Sequence, residues 1–263
     1  MRSLMPVLCA AVMLFGCSKK ENVVLPAPVA AFTIDGQFLE NYKMPTHAGV
    51  QLVDSSKNAD SVRWDFGNGV VMRDHKVILS YEKSGTYTLT LTVTNAQGTQ
   101  STTSKTITVL DRVLKRVVIQ SVYWDPIPDN IDHFNYVWPQ TNTANVYMQF
   151  NKFKEGDSIV PRSGLLPNSP VIFTSAEIPD VPNENYAGTT LQDNHKFVLD
   201  INMIEDRSLQ GFLIAKDKSG KIFNLTSTTQ STNGYRLNSN FNQNKWTLSF
   251  GILSSVQLEG DFE

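Results

Sequence analysis

The chain has 263 residues, 41% hydrophobic and 18% charged, with 23 basic against 25 acidic side chains and a formal net charge of −2. That balance excludes the concentrated basic face of a nucleic-acid binder, and the length suffices for one or two domains with apolar cores. Cysteine occurs only at Cys9 and Cys17, so the rest of the chain relies on apolar burial rather than on a disulfide framework.

Arg2 is the only charged residue before Lys19, and Leu4 to Phe15 is almost wholly apolar. The run is shorter than the about 20 residues a membrane crossing needs. A basic start, a short apolar run and a small residue before the cut read as a secretory signal peptide over residues 1–16. Leu14-Phe15-Gly16-Cys17 resembles the lipobox of bacterial lipoproteins. The resemblance implies cleavage before Cys17, a thiol diacylated with chains such as palmitate, and an acylated amine. Acyl burial contributes about 0.8 kcal/mol per CH₂, so two or three chains hold durably where one holds marginally. Residues 17–28 read as a tether: Ser18 to Asn22 are polar, and Pro26 and Pro28 favour extended backbone. Ser18 directly after the cysteine resembles outer-membrane sorting signals, which implies a cell outer membrane lipoprotein, periplasmic or surface-exposed.

From Val29 to Leu110 the dominant period is two, the mark of strands with one buried face. In Thr86 to Asn95, Tyr87, Leu89, Leu91 and Val93 fall on one side and Thr88, Thr90, Thr92 and Thr94 on the other. Threonine keeps β-propensity on the wet face. Ser84-Gly85 and Gln97-Gly98 are turn signals, and Thr102 to Val109 supplies the next strand. Phe32 and Ile34, then Val50 and Leu52, then Val62 and Trp64 mark shorter strands upstream. Short strands at such spacings predict a sandwich. Trp64 is expected between the sheets, with Gly67 and Gly69 permitting a reversal whose N–H groups Asp65 accepts.

Trp64-Asp65-Phe66-Gly67-Asn68-Gly69, then Tyr81, then Ser84 to Asn95, resembles the PKD (polycystic kidney disease) domain, an immunoglobulin-like sandwich. Asn68 stands where that family usually has aspartate.

Residues 111–115 read as a junction, with Arg112, Lys115 and Arg116 as the solvated start of a strand. From 116 to 263 the strand-like runs are Val117 to Val122, Asn145 to Phe150, Lys196 to Ile201, Gly211 to Ala215, Lys221 to Leu225 and Trp246 to Ile252. Lys218-Ser219-Gly220 is a hairpin turn, and Glu205 to Leu209 has room for one helical turn. A second β-sandwich follows. The fold class is therefore all-β: an immunoglobulin-like PKD-type sandwich over 29–110 and a second β-sandwich over 116–263.

Trp124-Asp125-Pro126-Ile127-Pro128-Asp129 on to Asp132, and Val198 to Asp206, resemble calcium- and lipid-binding-type sandwiches. The resemblance implies a calcium site at Asp129, Asp132, Asp200, Asn202 and Asp206, since a hard cation needs six to eight oxygens. The alternative is that these residues cap turns between strands. Trp124, Tyr136 and Trp138 suit either loop recognition of a sugar or protein or the rim of the core.

The four histidines are dispersed, with no His-x-x-x-His spacing. No Gly-x-Ser-x-Gly elbow or phosphate-cradling glycine loop occurs. No catalytic residues and no cofactor beyond calcium are expected. The expectation is a non-catalytic, lipid-anchored envelope protein, with a membrane partner through its lipid and a protein or carbohydrate ligand. The alternatives are a structural subunit of an outer-membrane assembly and a glycan-degrading enzyme.

Overall fold

A computed structural model describes residues 25–124, 141–154, 169–183, 187–227, 235–251 and 254–263, leaving aside the side chains of 189–195 and of Ser227. Cys17, Asp129, Asp132, Tyr136 and Trp138 lie outside the described residues.

The N-terminal sandwich is built from β1 (Phe32–Ile34), β2 (Asn41–Pro45), β3 (Val50–Asp54), β4 (Ser61–Asp65), β5 (Val71–Met72), β6 (Lys76–Leu79), β7 (Gly85–Thr94) and β8 (Gln100–Leu110). One sheet has the order β1-β3-β6 and the other β2-β8-β7-β4-β5. The β2–β8 pair is parallel. Alternation in β7 does what the sequence demands: Leu89, Leu91 and Val93 are fully buried. On the wet face Thr90 meets Ser104 at 2.9 Å and Thr92 meets Thr102 at 3.3 Å, hydroxyl pairs across the β7–β8 ladder.

Trp64 fills the space between the sheets, fully buried, edge-on to Phe32 with ring centroids 5.1 Å apart. Its indole N–H donates to the Asp74 carbonyl at 2.8 Å, so burial leaves no polar atom unpaired. The turn after it is as expected. Asp65 Oδ1 accepts from Gly67 N at 3.0 Å, and Gly67 has φ +73°, with the Thr88 carbonyl 2.7 Å from where a Cβ would stand. Asn68 fills the aspartate-like role, its Oδ1 accepting from Val70 N at 3.1 Å. Buried Tyr81 closes the same corner, donating its phenol to the Phe66 carbonyl at 2.8 Å.

The second sandwich contains β9 (Arg112–Ser121), β10 (Thr143–Lys152), β11 (Val171–Thr174), β12 (Ile178–Pro182), β13 (Thr189–Val198), the short helix α1 (Ile201–Glu205), β14 (Leu209–Lys216), β15 (Ile222–Ser227), β16 (Arg236–Asn240), β17 (Lys245–Gly251) and β18 (Ser255–Phe262). One sheet runs β13-β9-β18-β17-β16; the other runs β11-β10-β14-β15, with β12 also on β10. Their facing sides bury Trp124, Trp246, Phe150, Phe223, Leu248 and Leu258 in one core. The fold is thus all-β, a PKD-type sandwich followed by further β-sandwich sheets.

Three expectations need correction. The second sandwich opens at Arg112 rather than 116, because Val113 and Leu114 are already buried in its core region. Arg112 is not a solvated strand start: it is 5% exposed and lies over the Phe262 ring, whereas Lys115 and Arg116 face water. The helical turn falls at Ile201–Glu205, not Glu205 to Leu209, because Asp200 adopts an extended backbone and caps it.

Candidate functional site

The residues proposed for calcium divide. Asp200 and Asp206 bracket α1 and Asn202 lies within it, and the side chains of all three bond backbone groups. Asp200 Oδ1 accepts from Asn202 N at 3.0 Å, and its other oxygen lies 3.3 Å from His47 Nε2. Asn202 Nδ2 donates to the His47 carbonyl at 3.2 Å. Asp206 Oδ1 accepts from Ser208 N at 2.8 Å, and hydrogen bonding from Ser208 holds its carboxyl below the usual range. Among the described residues no group of three or more His, Cys, Asp or Glu side chains is placed to hold a metal ion.

Trp124 is not a recognition residue. It is fully buried, its ring N–H donating to the Thr141 carbonyl at 3.2 Å and its backbone N–H to Asn183 Oδ1 at 2.8 Å.

A cleft of about 300 Å³ opens at one end of the second sandwich, lined by Thr143, Asn145, Asp180, Lys216, Asp217 and Lys218 among others. Three elements form it. Asn145 and Lys216 are register partners on β10 and β14. The β14–β15 turn supplies the second wall. Asp217 Oδ1 accepts from Ser219 N at 2.9 Å, Ser219 Oγ at 2.6 Å and Lys221 N at 3.0 Å, and Gly220 turns with φ +85°. This is the hairpin that Lys218-Ser219-Gly220 signalled. Edge strand β12 brings Asp180, which sits at φ +52° between Pro179 and Val181. Asparagine and aspartate tolerate that left-handed region better than most residues, and its backbone N–H is held by Asn145 Oδ1 at 3.3 Å.

Glu177 braces this wall. It accepts from Asn145 Nδ2 at 3.0 Å and from Lys216 Nζ at 3.1 Å. Those two bonds, Asn145 first, hold its carboxyl below the ordinary value. A depressed carboxyl stabilises its surroundings above its unfolded pKa and ceases to do so as pH falls through the folded one. The brace is therefore expected to release only once pH has fallen below the ordinary glutamate range. Following the Asn145 side-chain amide by NMR during acid titration checks this; a midpoint within or above that range would contradict it.

Sequence reasoning did not find the cleft, because its walls come from three separate segments spread over more than seventy residues. The one local signal was the hairpin turn. Among the described residues no helix is long and apolar enough to cross a membrane.

The N-terminal sandwich is a PKD domain: residues 26–109 match the PKD domain family. Over 89 residues the chain is 39% identical to the pre-pro-metalloprotease PrtV of Vibrio cholerae serotype O1 (strain M66-2), covering 34% of this chain and 9% of that protein. The match thus spans under a tenth of the length of that curated relative. Among solved structures, the PKD1 domain from the Vibrio cholerae metalloprotease PrtV is 33% identical, covering 32% of this chain and 98% of that one with a TM-score of 0.26. A structure described under the carbohydrate-binding modules of the β-sandwich superfamily covers 91% of this chain and 94% of that one, at 13% identity and a TM-score of 0.29.

Proposed function

We propose that the chain is a non-catalytic, lipid-anchored protein of the bacterial cell envelope that binds a carbohydrate or protein ligand through its second sandwich. Cys17 carries the lipid in this reading, and the PKD domain stands between lipid and binding end. The observation that carries it is the cleft between β12 and the β14–β15 turn, lined by polar side chains together with Ala144 and close to the lower size limit of small-ligand sites. Asn145, Asp180, Lys216 and Lys218 offer donors and acceptors together, the mixture that hydroxyl-rich ligands require.

A glycan array and a pull-down with the soluble chain from Ser18 onward test the reading. Binding is expected to weaken at least tenfold when Asp180→Asn, which keeps the left-handed backbone tolerated, and Lys218→Ala are combined. Both residues lie at the surface of the cleft, so the fold is expected to survive. No ligand in either assay, or a ligand held equally well by the double variant, would overturn it. Mass spectrometry of the mature protein tests the anchor, with an unmodified Cys17 as the contrary result.

A further inference from the structure

The two sandwiches are joined by Asp111 alone, since β8 ends at Leu110 and β9 begins at Arg112. Chains that hinge between domains ordinarily do so through exposed linkers crossed by few contacts. Here the joining residue is itself laddered: Asp111 N donates to the Glu263 carbonyl at 2.7 Å, and Glu263 N returns a bond to the Asp111 carbonyl at 3.0 Å. Its carboxylate accepts from Ser84 Oγ at 2.9 Å. Leu110, half-buried, packs against the second core while its carbonyl accepts from Thr46 N of the first sandwich at 3.0 Å.

A second set of contacts lies off the covalent path. His47, in the β2–β3 turn at φ +62°, is tied to its own sandwich by donating its N–H to the Tyr81 carbonyl at 2.8 Å. Its ring reaches Asp200 at 3.3 Å and its carbonyl takes the Asn202 amide at 3.2 Å, both from the start of α1 in the other sandwich. That segment is fixed to β9 by Leu199 N donating to the Arg112 carbonyl at 2.8 Å. The buried Arg112 guanidinium lies within electrostatic reach of Asp200 and Glu205, a positive charge behind the clasping carboxylate.

We infer that this joint is a rigid clasp, in which Asp200 and Asn202 grip His47 so that the two sandwiches move as one body. Geometry gives the device a use. The chain enters the first sandwich beside Lys57, Asn95 and Ser101, at the end of β8 remote from the joint. The cleft lies at the Lys216 end of β14, while α1 and the joint lie at its Leu209 end. A rigid joint therefore holds the cleft at a fixed separation from the point of entry. At about 3.3 Å per residue, β8, Asp111 and β9 laid end to end would span at most roughly 70 Å.

The test needs no assumption about ligand. The chain from Ser18 onward has no native cysteine, so spin labels placed through Asn68→Cys and Asn240→Cys, both exposed, report only the distance between the sandwiches. A single narrow distance distribution is expected. Asp200→Asn with Asn202→Ala should widen it at least twofold, because asparagine preserves the N-cap bond while the carboxylate and amide grips on His47 are lost. His47→Asn, made from the opposite side and able to keep the left-handed backbone, should widen it likewise. A parent distribution already broad, or variants as narrow as the parent, would overturn the clasp and leave the binding reading untouched.

Discussion

Replacing Trp64 by alanine is expected to unfold the N-terminal sandwich, at a cost of about 3–5 kcal/mol. Two losses combine. The indole is fully buried against Phe32 between sheets of three and five strands, so truncation leaves a void that flanking strands cannot close. The Asp74 carbonyl also loses its donor. In hydrogen exchange the amides of β4 and β7 should lose protection while those of β17 and β18 keep theirs. Retained protection in β7 would show that Trp64 is not the centre of that core.

Gly260→Ala is the counterpart in the second sandwich, and it acts by overfilling. A Cβ at 260 would stand 2.2 Å from the Val113 carbonyl and 2.3 Å from two ring carbons of Trp246. Neither neighbour is free to yield. Val113 is buried within interior strand β9, and Trp246 is buried with its N–H bonded to the Asp261 carbonyl at 3.1 Å. A loss of about 3 kcal/mol is expected, the upper part of the usual range for overpacking. Denaturant unfolding checks it; a change below about 0.5 kcal/mol, the scale of an ordinary surface substitution, would contradict the packing described.

The first sandwich was legible because β7 is buried on one face only, and single-sided burial writes period two into the sequence. Sheet β11-β10-β14-β15 is different. Tyr147, Phe153, Phe212 and Ile214 are buried in a cluster separate from the main core, on the opposite face from Met148 and Leu213. Two-sided burial erases alternation, so β14 reads simply as an apolar run. At β9 the obstacle was an irregular register, where Leu114 pairs with Gly260 and Arg116 with Glu259. Residues 111–115 then read as a junction, with charged Lys115 and Arg116 as a solvated strand start, although Val113 and Leu114 are core. Strand β12 hid behind Pro179 and Pro182, residues that sheets admit mainly at edges. The pattern of β18 was present, with Val256, Leu258 and Phe262 inward and Gln257, Glu259 and Asp261 outward, but Gly260 interrupts its apolar series. As for the cleft, Lys216 and Asp217 adjoin a recognisable turn, whereas Asn145 and Asp180 join them only through sheet pairing.

Strand β18 lies between β9 and β17, in the interior of its sheet. Its position sets an order of events during synthesis. The front sandwich has all its strands once residue 110 has emerged, and it closes without waiting for anything behind it. The rear one must hold β9 unpaired on that side until residues 255–262 arrive, more than 130 positions later. Through that interval its apolar strands stand open, so the rear half is the part that needs shelter from aggregation while the chain is being made.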